Sequence, residues 1–272
     1  MPPTDSLLAR ATRCLIAYRV SDGPAMTPMA CWSDGGGVWM TTSQQAAKVA
    51  ALRRDPRCAL WIDPDDAGDP GVAVDGTARI FDLSDPVGLV LHAPTISAAL
   101  AALALTHRAT LVGYVRDIPR LPAQWLPQSR VLIRVRIDRA RSRMAPQRPT
   151  GVGPVLPTEL PAAVRRAVTG TRTVTLAMLR GDALTVQPVV WGARFQLDTG
   201  ATAVPDAATP ACIVVDAHED PRPSSALGVL LRGHVDSGLQ FHPRRAVWWE
   251  GFSADALAVR PPTTASGITL PD

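Results

Sequence analysis

Eight consecutive residues, Thr41-Thr42-Ser43-Gln44-Gln45-Ala46-Ala47-Lys48, hold three hydroxyl donors and the only lysine of a 272-residue chain whose other formally basic side chains are all arginine. Hydroxyls, backbone N–H groups and a cation are what a phosphate binds, and a helix N-terminus adds a favourable dipole. Helical composition runs from Ser43 or Gln44 to Arg54, and Asp55-Pro56 ends it because proline disfavours continuation. In that helix Ala47, Val49, Ala50 and Leu52 are expected to face a sheet, with Lys48 near the first turn. The chemistry this pattern suggests is anion binding. The same residues also suit an exposed helix with a solvated lysine, and residue types alone leave both readings open.

The second half of the chain restates the first and omits this segment. Thr12-Arg13 opens a strand-like run, a turn at Ser21-Asp22-Gly23-Pro24 and then Met26-Thr27-Pro28-Met29 and Trp32. Thr171-Arg172 opens the same succession, with a turn at Arg180-Gly181-Asp182, then Val186-Gln187-Pro188-Val189 and Trp191. The offset is 159 residues between Thr12 and Thr171 and 160 between Pro28 and Pro188, but only 154 between Pro56 and Pro210. The shortfall falls between Thr41 and Asp55, where the second copy carries Val204-Pro205-Asp206 in place of the lysine helix. Two equivalent scaffolds with one working site are expected.

The elements that must position the segment read as strands. Cys14–Val20, Ala25–Trp32, Val38–Thr41, Cys58–Ile62 and Val72–Phe81 are short, rich in β-branched and aromatic residues, and separated by turn residues, a pattern of antiparallel strands that curl or close. Asp34-Gly35-Gly36-Gly37 is a hairpin signal. Asp85-Pro86 opens a second helical region to about Leu105, with a break expected at Pro94 and an irregular segment from Tyr114 to Trp125. Arg130–Arg139 alternates Val131, Ile133, Val135 and Ile137 with arginines, a period-two strand with one apolar and one basic face. In the second copy, strands are expected near Val174–Leu179, Leu184–Trp191, Arg194–Leu197, Ala211–Val215, Leu227–Val235 and Ala246–Trp249.

The formal charge of +4 is small and its arginines are spread along the chain, so no nucleic-acid partner is expected. Cys14, Cys31, Cys58 and Cys212 are isolated, with no metal-ligand spacing and no disulfide framework, and read as small core residues in a reducing compartment. No run of eighteen apolar residues occurs, so no membrane partner is expected and a cytoplasmic location is. The five histidines form no triad or metal set, and no general base is assigned.

From Arg13 to about Phe81 the chain resembles the pyridoxamine 5′-phosphate oxidase-like family of split β-barrels. The resemblance is carried by the Asp22-Gly23-Pro24 turn, Met26-Thr27-Pro28-Met29, the glycine hairpin, Val38-Trp39-Met40-Thr41-Thr42, Lys48 through Arg57, and Val74-Asp75-Gly76-Thr77-Ala78. It implies a mainly β fold in which two split-barrel repeats form an intrachain pseudo-dimer: residues 8–145 with the phosphate segment, a linker at 146–160, a degenerate repeat at 161–260 and a mobile tail at 261–272. It further implies FMN, or alternatively the deazaflavin coenzyme F-420, with the phosphate on Thr41, Thr42, Ser43 and Lys48. The ring would lie against the backbone of Thr27, Pro28 and Met29 and against groups of the second copy, for which Trp191, Arg194, Trp248 and Trp249 are the candidates. Each of these four also suits ordinary packing. The implied activity is an oxidoreductase transferring hydride to or from a small-molecule substrate, since in flavin enzymes the cofactor carries the hard chemistry. The alternatives are a non-catalytic binder of flavin, haem or another planar ligand, and an interaction scaffold whose site has decayed. Further oligomerisation is compatible with all three.

Overall fold

The computed structural model describes residues 3–64, 69–83, 85–117, 130–146, 153–200, 205, 207–217 and 223–259. The expected tail from 261, His218, Val204, Asp206 and the stretch from 118 to Trp125 lie outside the described residues. After a short helix, α1 (Pro3–Arg10), come six strands, several of them buried on both faces: β1 (Arg13–Val20), β2 (Gly23–Ser33), β3 (Gly37–Ser43), β4 (Arg57–Ile62), β5 (Gly71–Phe81) and β6 (Arg130–Arg143). They pair antiparallel into a closed barrel in the order β1-β2-β3-β6-β5-β4. The glycine hairpin forms as expected: the Asp34 carboxylate accepts from the N–H groups of Gly36 (2.9 Å) and Gly37 (2.6 Å) and from Trp39 Nε1 (2.8 Å). Gly35 there has φ 85°, a conformation that only a residue without Cβ adopts freely.

A second helix, α2 (Ala47–Arg54), joins β3 to β4, and three more fill the connection from β5 to β6: α3 (Pro86–Leu91), α4 (Ala93–Thr106) and α5 (Arg108–Asp117). The break expected at Pro94 falls at His92, with the proline in the first turn of α4. At the start of the expected irregular segment, from Tyr114 to Asp117, the chain is helical instead, because no proline interrupts Arg108–Asp117. These helices cover an apolar patch on the barrel's outer face, where Ala99 and Leu103 meet Trp39, Phe81 and Leu132.

After α6 (Ala162–Gly170) the second sheet follows: β7 (Thr173–Arg180), β8 (Ala183–Trp191), β9 (Leu197–Asp198), β10 (Thr209–Asp216), β11 (Leu227–Val235), β12 (Phe241–Glu250) and β13 (Ser253–Ala258). Its order, β13-β12-β11-β10-β7-β8-β9, is the barrel's order cut open between the counterparts of β3 and β6. The reason is length. All seven residues of β3 pair with Arg130–Arg136, whereas β9 has two residues and a single bridge, Gln196 to Gln240, remains of the closing seam. The freed edge of β12 is covered by β13, which removes an unpaired row of backbone donors and acceptors. The strand expected at Arg194–Leu197 is instead a 3-10 turn over Ala193–Phe195, since Arg194 (φ 56°) and Phe195 (φ 61°) sit in the left-handed region.

The two sheets pack through reciprocal surfaces. Strand β2 lies on β10, β11 and β7, and its counterpart β8 lies on β4, β5 and β1, the mutual pattern of a two-fold interface. Ala177, Val186, Cys212, Val214 and Leu230 of the second sheet enter the same core as the barrel residues. Ion pairs Arg13–Asp216, Arg19–Asp182 (3.0 Å) and Arg232–Asp22 (2.5 Å) cross the boundary. Leu230→Ala, at a site only 6% exposed, should cost about 2–5 kcal/mol. Urea unfolding of parent and variant should each show one transition, because a shared core couples the halves; two separated transitions would contradict that coupling. Among the described residues no single helix is long and apolar enough to cross a membrane.

Candidate functional site

The chain leaves β3 at Ser43, whose Oγ accepts from Gln45 N–H (3.3 Å) and whose carbonyl accepts from Ala46 N–H (3.1 Å). This local turn uses Ser43 before a helix can begin, so α2 starts at Ala47 rather than at Ser43 or Gln44. Val49, Ala51 and Leu52 anchor α2 in the core, and Arg53 of its last turn pairs with Asp82 just past β5. Lys48 is thereby held in the first turn, with its Nζ donating to Thr42 Oγ1 (3.3 Å).

The pleat of β3 divides the expected donors. Val38 and Met40 enter the shared core and Trp39 packs under the helices, so alternation puts Thr42 on the first face and Thr41 with Ser43 on the second. Thr42 and Lys48 meet, whereas Thr41 is joined by a residue that sequence reasoning did not assign. Arg130, opposite Ser43 at the start of β6, donates to Thr41 Oγ1 (2.9 Å) and to its carbonyl (3.1 Å). The only signal for Arg130 was its place at the head of the basic-faced strand; its register against β3 depends on barrel closure.

Burial, and after it the charge of Arg130, bring the Lys48 pKa down to about 8. Lys48 and Arg130 have hydroxyl or carbonyl partners and no carboxylate partner among the described residues. Two cations close enough to disfavour one another, one of them desolvated, make a place where an anion is stabilised. Beside Arg130 a cavity of about 630 Å³ opens between the barrel and the helical layer, with Lys48 and Thr42 outside its lining. Phe81, Leu89, Ile96 and Leu103 wall it, and Thr41, Gln44 and Arg130 form its polar end. That volume is in the range of small-molecule and cofactor sites, which combine apolar walls with a few polar groups.

The ring-facing residues are placed less favourably. Thr27 and Pro28 are half-buried, Met29 is buried and β2 lies under the second sheet; the cavity reaches β2 only at the next residue, Ala30. Trp191 is fully buried in the second sheet's own core with its Nε1 donating to Thr171 carbonyl oxygen (2.8 Å), and Trp248 packs on that same core. Strand alternation turns both away from the barrel, so neither walls a site there, and only Trp249 packs against the shared core. Arg194 is exposed on its 3-10 turn.

Residues 4–143 match the family model described as pyridoxamine 5′-phosphate oxidase. Among solved structures, an FAD-binding protein from Mesorhizobium loti is 16% identical over 50% of this chain and 88% of its own, with a TM-score of 0.38. An F-420 reductase is 22% identical over 52% of this chain and 98% of its own (TM-score 0.36). An FAD-binding protein from Mycobacterium smegmatis is 17% identical over 52% and 90% (TM-score 0.32). No curated protein matches the chain.

Proposed function

Residues 4–143 place the chain in the pyridoxamine 5′-phosphate oxidase family, and from that premise we propose a flavin-dependent oxidoreductase acting on a small molecule, with FMN as cofactor and the deazaflavin coenzyme F-420 as the alternative. The observation that carries the reading is the half-buried Lys48, without a carboxylate partner among the described residues, beside Arg130 at the end of β3. These charges suit a phosphate. Lys48 with Thr42 would hold it on one side of the strand and Arg130 with Thr41 on the other, and Ser43 would shape the turn between them. The apolar cavity would take the ring, orient it beside Ala30, next in β2 to Thr27, Pro28 and Met29, and keep water from it. Trp191, Trp248 and Arg194 have no part in this reading. Hydride transfer is the chemistry such a cofactor supplies when bound. The shared strand order further supports reading the two sheets as tandem copies, the second having lost its phosphate segment.

The absorbance of the purified chain, before and after incubation with each cofactor, tests the proposal. Flavin bands support it, and so does a deazaflavin band that persists through desalting. A Soret band, or a protein that retains neither cofactor, overturns it.

A pH dependence follows from Lys48. Its pKa in the free protein is lowered to about 8, so the charged form that binds phosphate is complete below about pH 7 and lost as pH rises through 8. A phosphate monoester is already dianionic there, its second pKa being about 6. Affinity for FMN should therefore fall about tenfold between pH 7 and pH 9. Fluorescence titration at several pH values would read it, and a flat profile would exclude Lys48 from the phosphate site.

A further inference from the structure

The second sheet carries a basic cavity at some remove in chain position from Lys48. It is about 200 Å³ in volume and is lined by Arg232, Gly233 and His234 of β11, Arg244 and Arg245 of β12, and Asp22 of the first β-turn. A regular strand sends consecutive side chains to opposite faces, so two adjacent arginines should not line one cavity. They do so because the ladder slips: Gly233 pairs with Pro243 and Arg232 with Arg245, which leaves Arg244 as the extra residue of a β-bulge. A bulge re-aims side chains in this way. Gly233 allows the close approach of the two strands, since a Cβ there would overlap the carbonyl oxygen of His242.

The arrangement is unfavourable without a counterion. Arg232 and Arg245 are directly opposite, and like charges in that position repel. Among the described residues Asp22 is the one carboxylate lining the cavity, and it is bonded to Arg232 at 2.5 Å. Arg244 and Arg245 have no ion pair among the described residues. His234 also lines the cavity and is stacked on His242 with ring centroids 4.8 Å apart.

From three guanidiniums against one carboxylate among the described residues, and the bulge that gathers them, we propose that this cavity binds the dianionic phosphate group of a small molecule. Guanidinium forks match phosphate oxygens geometrically as well as electrostatically. The volume selects the size: it is below the range of about 300–1,000 Å³ for whole-ligand pockets, and suits a phosphate or pyrophosphate head rather than an entire nucleotide.

The test uses the full chain carrying Lys48→Met, which weakens the first site, while variants at Arg244 and Arg245 keep the two proposals separate. Inorganic phosphate and pyrophosphate are titrated at low salt by calorimetry, with phosphorus NMR as a second readout. Saturable binding of one equivalent, weakened about tenfold by Arg244→Ala and by Arg245→Ala, is the expected result. Equal affinity in the arginine variants overturns the proposal, as does an absence of saturable binding. A single-stranded oligonucleotide is titrated in parallel; if it displaces pyrophosphate with a salt dependence of several charges, the surface is a polyanion groove and the small-molecule assignment fails. Arg→Ala changes at these exposed positions leave the core intact, and circular dichroism of each variant checks this.

Discussion

Titrated with FMN, the chain should take up one equivalent rather than two, and Lys48→Glu should abolish that uptake. A symmetric pair of such copies would carry two sites, one at each phosphate segment. The second copy lacks both cations of the first. Its segment from Thr199 to Ala208 contains no Lys, Arg or His, and where Arg130 opens β6, Gln240 precedes β12 and spends its amide on the Arg194 carbonyl (3.2 Å). With two residues in β9 there is also no strand end comparable to Thr41–Ser43. A carboxylate at position 48 places like charge against a phosphate within a partly desolvated site, a reversal larger than loss of the lysine alone. Calorimetry that returned two equivalents, or one that survived Lys48→Glu, would place the site elsewhere.

Lys48→Met should weaken FMN binding about ten- to a hundredfold, the effect of one charge-assisted hydrogen bond of about 1.5–3 kcal/mol. Methionine keeps the stem and removes the charge. The same variant should be as stable as the parent or more so. A lysine whose folded pKa is lowered toward 8 penalises the folded state wherever it stays protonated, so the parent's stability should rise with pH from about 8 to 10.5 and the variant's should not. Loss of affinity with retained stability separates a ligand-binding role from a structural one. Arg130→Ala should lower affinity as well, and because the two cations flank one strand end, their effects should not add. If Lys48→Met bound FMN as tightly as the parent at pH 7, the phosphate assignment would be wrong.

Much of this was legible in the residues, because it depended on local pattern. Alternating apolar residues gave the strands, Asp34-Gly35-Gly36-Gly37 the hairpin, Asp55-Pro56 the end of α2, and the offset between Thr12 and Thr171 the second set of strands. Lys48 was conspicuous by its rarity and by its place in the first turn of a helix. The opening of the second sheet was less legible: a two-residue β9 and an added β13 follow from how much edge each strand must cover, a balance that no single segment contains.

What the chain determined by itself was the family, the succession of strands along the chain and the presence of one lysine-bearing segment against one without, all of them properties of neighbouring residues. Only the tertiary structure decided which groups meet. Barrel closure brought Arg130 onto Thr41 from 89 residues away, and the pleat of β3 set Thr42 and Thr41 on opposite faces. Strand alternation turned Trp191 and Trp248 into the second core, although as residue types they suited a ring wall. The bulge at Arg232/Gly233 gathered three arginines that a regular ladder would have scattered. Spacing along a chain constrains neighbours within a turn or a pleat, whereas contacts between distant strands depend on register, and register is settled only when the whole sheet is closed or left open.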